Sequence, residues 1–171
     1  MDQERIASAI TQAKAALAES ADEARYWDSE AVATLEAGLR VRIDGPDGVS
    51  LITDMPTSVG GEASAPSPGW LFRSAVASCV ASLIAMRAAE KGLDLRGLTV
   101  MVDSESDDRG LLGVSEVPAG PLAMRVIVRA QGASDDATVR EIIEWGKAHC
   151  PVCDAVERAV PVQLTIELQT A

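Results

Sequence analysis

One stretch constrains the fold of this chain more than any other. Between Ala75 and Met86 almost every residue is apolar or small, with only serines interrupting. A helix that is apolar all round is buried on every side, so the segment from about Pro68 to Lys91, stopped by Gly92, reads as a central core helix. Ala75, Ala77, Ser78, Ala81, Ser82 and Ala85 keep its girth small, which lets other elements pack close. The run is well short of the roughly 20 apolar residues of a membrane span, so no membrane-crossing segment is expected. The rest of the core must be aliphatic. Apolar residues make up 47% of the chain, yet the aromatics are only Tyr26, Trp27, Trp70, Phe72 and Trp145.

Around that helix the periodicity predicts an α+β arrangement. Ile6, Ile10, Ala13 and Leu17 recur at helical spacing, so residues 3–37 read as a solvated capping or dimer-packing helix with a break near Ser20–Asp22. Leu39, Val41 and Ile43 alternate with Arg40, Arg42 and Asp44, as in a half-buried strand. Asp44–Gly48 is a turn by composition, and Val49–Thr53 resumes as the second strand of a hairpin. Pro56–Pro68, with Gly60 and Gly61, reads as a loop of the kind that carries function on a rigid scaffold. Leu98–Asp103 and Leu122–Ala130 are strand-like, with loop between them. A helix is expected from Ser134 to about His149, a short one from Pro151 to about Ala159, and a closing strand over Val162–Leu168. The order β-β-α-β-β-α-α-β, with a leading helix, implies antiparallel pairs. The chain divides into an N-terminal helical extension, residues 1–37, and a domain spanning 38–171.

Charge excludes some functions. The 171 residues carry 26 Asp and Glu against 15 Lys and Arg, a net charge of −11. Phosphate recognition needs clustered Lys and Arg, so neither nucleic acid nor an anionic membrane is an expected partner. The N-terminal MDQERIASAI lacks a basic region followed by an apolar stretch, so no secretory signal is read there and a cytoplasmic protein is expected.

Three cysteines are an odd number, which does not suit a disulfide framework. Cys150 and Cys153 form a Cys-Pro-Val-Cys element behind His149. Such an element is either a redox dithiol or part of a metal site. If Pro151 is the first helical residue, Cys150 is the N-cap, where unpaired backbone N–H groups favour a thiolate. Lys147 and His149 add positive or donor groups there, while Asp154 and Glu157 oppose them. Cys79 sits among apolar helical neighbours, which raise a thiol pKa, so it needs a cation from elsewhere to become reactive.

The stretch Ser67-Pro-Gly-Trp-Leu-Phe-Arg-Ser-Ala-Val-Ala-Ser-Cys79 resembles the Pro-x-x-Leu…Ala-x-Cys helix of the OsmC/Ohr family, the osmotically inducible and organic-hydroperoxide-resistance proteins. The Gly60-Gly61 loop, Cys150-Pro151 and the terminal Val162–Leu168 segment follow the family's order, and the resemblance covers roughly residues 35–171. It implies an OsmC-like fold in which antiparallel strands wrap around a central buried helix in an intertwined homodimer. A homodimer is also expected because the central apolar helix, in a chain so poor in aromatics, is better buried by two subunits than by one. The resemblance further implies a thiol peroxidase for small apolar hydroperoxides, with Cys79 as the peroxidatic and Cys150 as the resolving cysteine. An external dithiol is the implied reductant, and no cofactor is needed.

Two positions depart from the family pattern. Gly69 stands where peroxidase members carry a glutamate that pairs with an arginine to activate the thiolate. Arg40, Arg42 and Arg73 are the available cations and Glu62 an available carboxylate. Cys153 replaces a usual serine and offers a further exchange partner. Two other readings follow from the same residues. One is an OsmC-fold protein with a binding or other redox role and no efficient peroxidase activity. The other is a zinc protein using Cys79, Cys150, Cys153 and His149.

Overall fold

The computed structural model describes residues 2–20, 24–132, 135–158 and 160–168. Helix α1 (Asp2–Glu19) lies along α2 (Pro68–Glu90) with no fully buried residue. The Gln3 side chain donates to the Leu93 carbonyl at 2.8 Å, and Lys14 pairs with Glu90. The helix expected to reach residue 37 ends at Glu19. Val32–Ala37 is instead strand β1, paired antiparallel with β2 (Arg40–Asp44). Its Ala and Glu content suits a helix, but Gly38 at φ +57° turns the chain back after Ala37, and pairing with β2 overrides propensity. Strand β3 (Ser50–Thr53) completes the sheet in the order β1-β2-β3.

Helix α2 runs as expected, and local chemistry explains both ends. The Ser67 hydroxyl accepts the Trp70 N–H at 3.2 Å, and Pro68 occupies the first turn. At the far end Gly92, at φ +66°, allows the Gly92 and Leu93 N–H groups to fold back on the carbonyls of Ala89 and Ala88. Strands β4 (Leu95–Glu105) and β5 (Ala123–Gly132) form a long antiparallel ladder, with a short α3 (Asp108–Leu111) in the connection. Leu98, Val100, Val102, Met124, Val126 and Val128 turn inward against α2, while Arg125 and Arg129 face outward. Helix α4 (Asp136–Ala148) is capped by Asp135, whose carboxylate accepts the Thr138 N–H at 2.9 Å. Ser134, expected to open that helix, lies outside the described residues. Gly146 lets α4 approach α2 closely: a Cβ there would lie 2.6 Å from Ile84 Cγ1 and 2.9 Å from the Ile84 nitrogen. Helix α5 (Pro151–Glu157) follows directly.

The core is the cluster Val76, Val80, Ile84, Ala88, Ile142, Cys150 and Cys153. It is aliphatic, as composition requires, and two of its members are thiols. Three expectations are corrected here. Helix α2 is not enclosed on all sides: Val76, Val80, Ile84, Ala88 and Ala89 are buried, but Ala75, Ser78, Ser82, Ala85 and Met86 face solvent. One chain supplies cover for a single stripe. At 23 residues, α2 is also long and apolar enough to cross a membrane by length and composition, which the run over residues 75–86 understated. In this fold it is the helix on which the core is built. The third correction is the closing strand. Val162–Leu168 forms no strand, because nothing among the described residues pairs with it, and Val162, Leu164, Ile166 and Leu168 are exposed.

Candidate active site

The three thiols meet where α2 passes the start of α5. Cys79 lies between the buried Val76 and Val80 and stays half-buried. Pro151 fixes the first helical φ of α5, which makes Cys150 the N-cap. The Cys150 Sγ accepts the Cys153 N–H at 3.3 Å, the role a Ser or Asp oxygen usually plays. Cys150 is wholly buried and Cys153 is 6% exposed. All three are free thiols, and Cys79 and Cys150 lie close enough for each to perturb the other.

Their electrostatics differ. Burial alone would raise the Cys150 thiol. The Cys153 N–H, the neighbouring thiols of Cys79 and Cys153, and the Val152 N–H outweigh it and hold Cys150 below the ordinary thiol range. Cys79 is raised, chiefly by burial; the Val152 N–H opposes this, and the contact and charge of Cys150 add to the rise. Cys153 is pushed up to about 12, chiefly by burial and further by its contact with Cys150 and by the charge there. Negative charge in the cluster therefore rests on Cys150, whereas Cys79 is the member with the greatest access to solvent.

The charged residues considered from sequence are placed elsewhere. Arg40 donates to Ser64 Oγ at 3.0 Å and pairs with Glu36 at 3.4 Å, while Arg42 pairs with Glu36 at 3.3 Å and with Asp44. Arg73 reaches Ser104 Oγ at 3.5 Å. Gly69 is ten residues before Cys79, about 15 Å along the helix at 1.5 Å per residue. A Cβ on Gly69 would instead have Arg73 Nη1 3.8 Å away. Glu62 is exposed in the loop before α2. His149 is exposed and stacked on Trp145, with ring centroids 4.0 Å apart, and its Nδ1 is 2.9 Å from the Trp145 carbonyl oxygen. The cation whose field reaches the cluster is Lys147, held by Glu157 at 2.5 Å across the α4–α5 junction. Among the described residues no group of three His, Cys, Asp or Glu side chains is arranged to hold a metal ion.

Sequence reasoning missed Asp54. Only 3% exposed, it gathers the loop that leads into α2. Its carboxylate accepts the N–H groups of Met55 (2.7 Å), Glu62 (3.2 Å) and Ser64 (3.0 Å), and the Ser64 hydroxyl at 2.8 Å. The available signal was a carboxylate between a strand and a Pro-Gly-Ser-rich loop, where backbone donors need an acceptor.

Solved structures share this fold. A candidate osmotic-stress and detoxification response protein of Psychrobacter arcticus is 22% identical with a TM-score of 0.62, over 77% of this chain and 91% of that one. An OsmC-like protein of Mycoplasma pneumoniae is 14% identical with a TM-score of 0.67, over 79% and 91%. An organic hydroperoxide resistance protein of Legionella pneumophila is 20% identical with a TM-score of 0.57, over 77% and 90%. No curated protein matches the sequence. The OsmC-like protein family itself matches residues 61–165, from the loop before α2 through both Cys79 and the Cys150–Cys153 turn. With more than half of the sequence matched and the thiol-bearing elements inside that match, the chain belongs to the OsmC-like protein family.

Proposed function

We propose that this protein is a thiol-dependent peroxidase that reduces small, apolar organic hydroperoxides through Cys79 and Cys150. The carrying observation is the pairing of a solvent-accessible Cys79 with a wholly buried Cys150 that keeps thiolate character. The Cys79 thiolate attacks the terminal peroxide oxygen, the O–O bond breaks, and the alcohol leaves with a proton. Cys79 becomes a sulfenic acid. Cys150 then attacks that sulfur, water leaves, and a disulfide forms, which an external dithiol reduces by exchange. The aliphatic surroundings of Cys79 favour an alkyl or aryl hydroperoxide over hydrogen peroxide. Hydroperoxide resistance proteins of Legionella pneumophila and Elizabethkingia anophelis share the fold. The cycle uses no cofactor and needs a reducing compartment such as the cytoplasm.

The working unit in this reading is a homodimer. The open face of α2, from Ala75 to Met86, runs beside Cys79, and the exposed apolar side of Val162–Leu168 lacks cover within the chain. In this reading a second copy covers both, and Cys79, whose thiol is raised by burial, needs a cation from that copy to react as a thiolate. A second reading, an OsmC-fold protein with a slower redox or binding role, is favoured by the absence of a cation at Cys79 among the described residues of one chain. Counting thiols before and after one equivalent of cumene hydroperoxide separates the two. The peroxidase loses two thiols and releases the alcohol within seconds, while the slower protein keeps all three.

A further inference from the structure

Cys153 has no part in the two-cysteine cycle, yet of the two buried thiols it is the one that borders a cleft. It lines a cleft of ≈ 300 Å³ with Lys147, Val156 and Glu157 on one side and Val76, Met124 and Val126 on the other. Neither Cys79 nor Cys150 is part of that lining. Cys150 has zero exposure, so a dithiol approaching a Cys79–Cys150 disulfide has no path to the Cys150 sulfur. Exchange requires direct attack of a thiolate on a disulfide sulfur, so access matters as much as reactivity. Cys153 and Cys150 are held in one helical turn, with the Cys153 amide on the Cys150 sulfur.

We propose that Cys153 is a third redox thiol that relays the oxidation from Cys150 to the Lys147–Glu157 cleft, so that the external dithiol reduces a Cys150–Cys153 disulfide. The proposal rests on the peroxidase reading for the origin of the first disulfide. In the relay the Cys153 thiolate attacks the Cys150 sulfur and the Cys79–Cys150 bond breaks. Cys79 leaves as a thiolate and takes up the proton that Cys153 gave up, so nothing is oxidised or reduced overall. The dithiol then becomes a disulfide and returns two electrons and two protons to Cys150 and Cys153. Local electrostatics time the step. While Cys150 is a free thiolate, its charge and contact add to burial in keeping Cys153 protonated. Once Cys150 is in a disulfide, its charge and contact are gone; burial and Glu157 still hold Cys153 up, and Lys147 still lowers it. The exchange also frees Cys79 for the next peroxide before the reductant arrives.

Non-reducing tryptic mapping tests this, because Cys79 lies on Ser74–Arg87 while Cys150 and Cys153 share Ala148–Arg158. After one equivalent of cumene hydroperoxide, wild type is expected to give Ala148–Arg158 lighter by two hydrogens and a free Cys79. Cys153→Ser and Cys153→Ala are expected to lose that internal bond, accumulate the crosslinked peptides and lose turnover with an external dithiol. A wild type that retains the Cys79–Cys150 crosslink with Cys153 free overturns the relay and leaves the peroxidase reading standing. A separate arm uses diamide, which oxidises dithiols without peroxide. Diamide is expected to close the internal bond in Cys79→Ser protein, and its failure to do so overturns the relay whatever happens with peroxide. In the Cys153→Ser protein, where no relay can free it again, a Cys79 that stays a free thiol after cumene hydroperoxide contradicts the peroxidase reading and, with it, the supply of the first disulfide.

Discussion

Single side chains set the charge and conformation of this site. Cys150 was legible because Pro151 fixes the start of a helix from the sequence alone, and an N-cap sulfur gains backbone donors. Its thiol is held below the ordinary value of 9.0, so the thiolate-dependent disulfide step is expected to rise with pH with its midpoint below pH 9. Thiolate absorbance in Cys79→Ser and Cys153→Ser proteins, followed across pH, checks the assignment. Asp54 was not legible, because its donors lie up to ten residues further along a loop whose path no periodicity reports. Its carboxyl is held below 3.8, first by the Ser64 N–H and then by the Ser64 hydroxyl. A depressed folded pKa stabilises above the unfolded value, and that stability is lost as pH falls through the folded value. Asp54→Asn is therefore expected to melt at a lower temperature than wild type at pH 7, with the gap closing below about pH 4.

At the scale of elements, the readable features were those with local causes. Helix α2 carries its own cap, first-turn proline and terminal glycine, and β5 alternates strictly, so both emerged from sequence. Strand β1 did not, because the Gly38 turn and the β2 edge decide its state rather than its own composition. The α2–α4 contact was equally hidden: a glycine inside a helix reads as a cost until a neighbouring backbone occupies the space of its side chain. Gly146→Ala is expected to destabilise by about 1–3 kcal/mol in chemical denaturation, since the Ile84 backbone cannot yield as a side chain can. Gly69→Glu should do the reverse. Its Cβ would make only ordinary contacts with Arg73 and Ser67, and replacing a helical glycine is worth roughly 0.5–1 kcal/mol. A carboxylate in the first turn adds to that.

The whole molecule leaves more apolar surface uncovered than one chain can use. The α2 face beside Cys79, the exposed side of Val162–Leu168, and Leu35 and Leu51 on the three-stranded sheet all lack cover. Sequence patterning marked α2 as buried on every side and Val162–Leu168 as a strand because it reports what wants a partner, not what provides one. Sedimentation is expected to show a homodimer at micromolar concentration, and Ser82→Arg on the open face of α2 is expected to give a folded monomer that reduces peroxide poorly. The same geometry bears on Gly69. At about 15 Å from Cys79 within one helix, a glutamate there can speed peroxide reduction only across a subunit boundary. The central proposal is that Cys79 is the residue that reacts with peroxide. The most direct measurement treats Cys150→Ser protein with one equivalent of cumene hydroperoxide in the presence of dimedone and locates the adduct by mass spectrometry. A trapped sulfenic acid is expected on the Ser74–Arg87 peptide. An adduct confined to Cys153, or a Cys79 thiol that survives intact, would contradict the proposal.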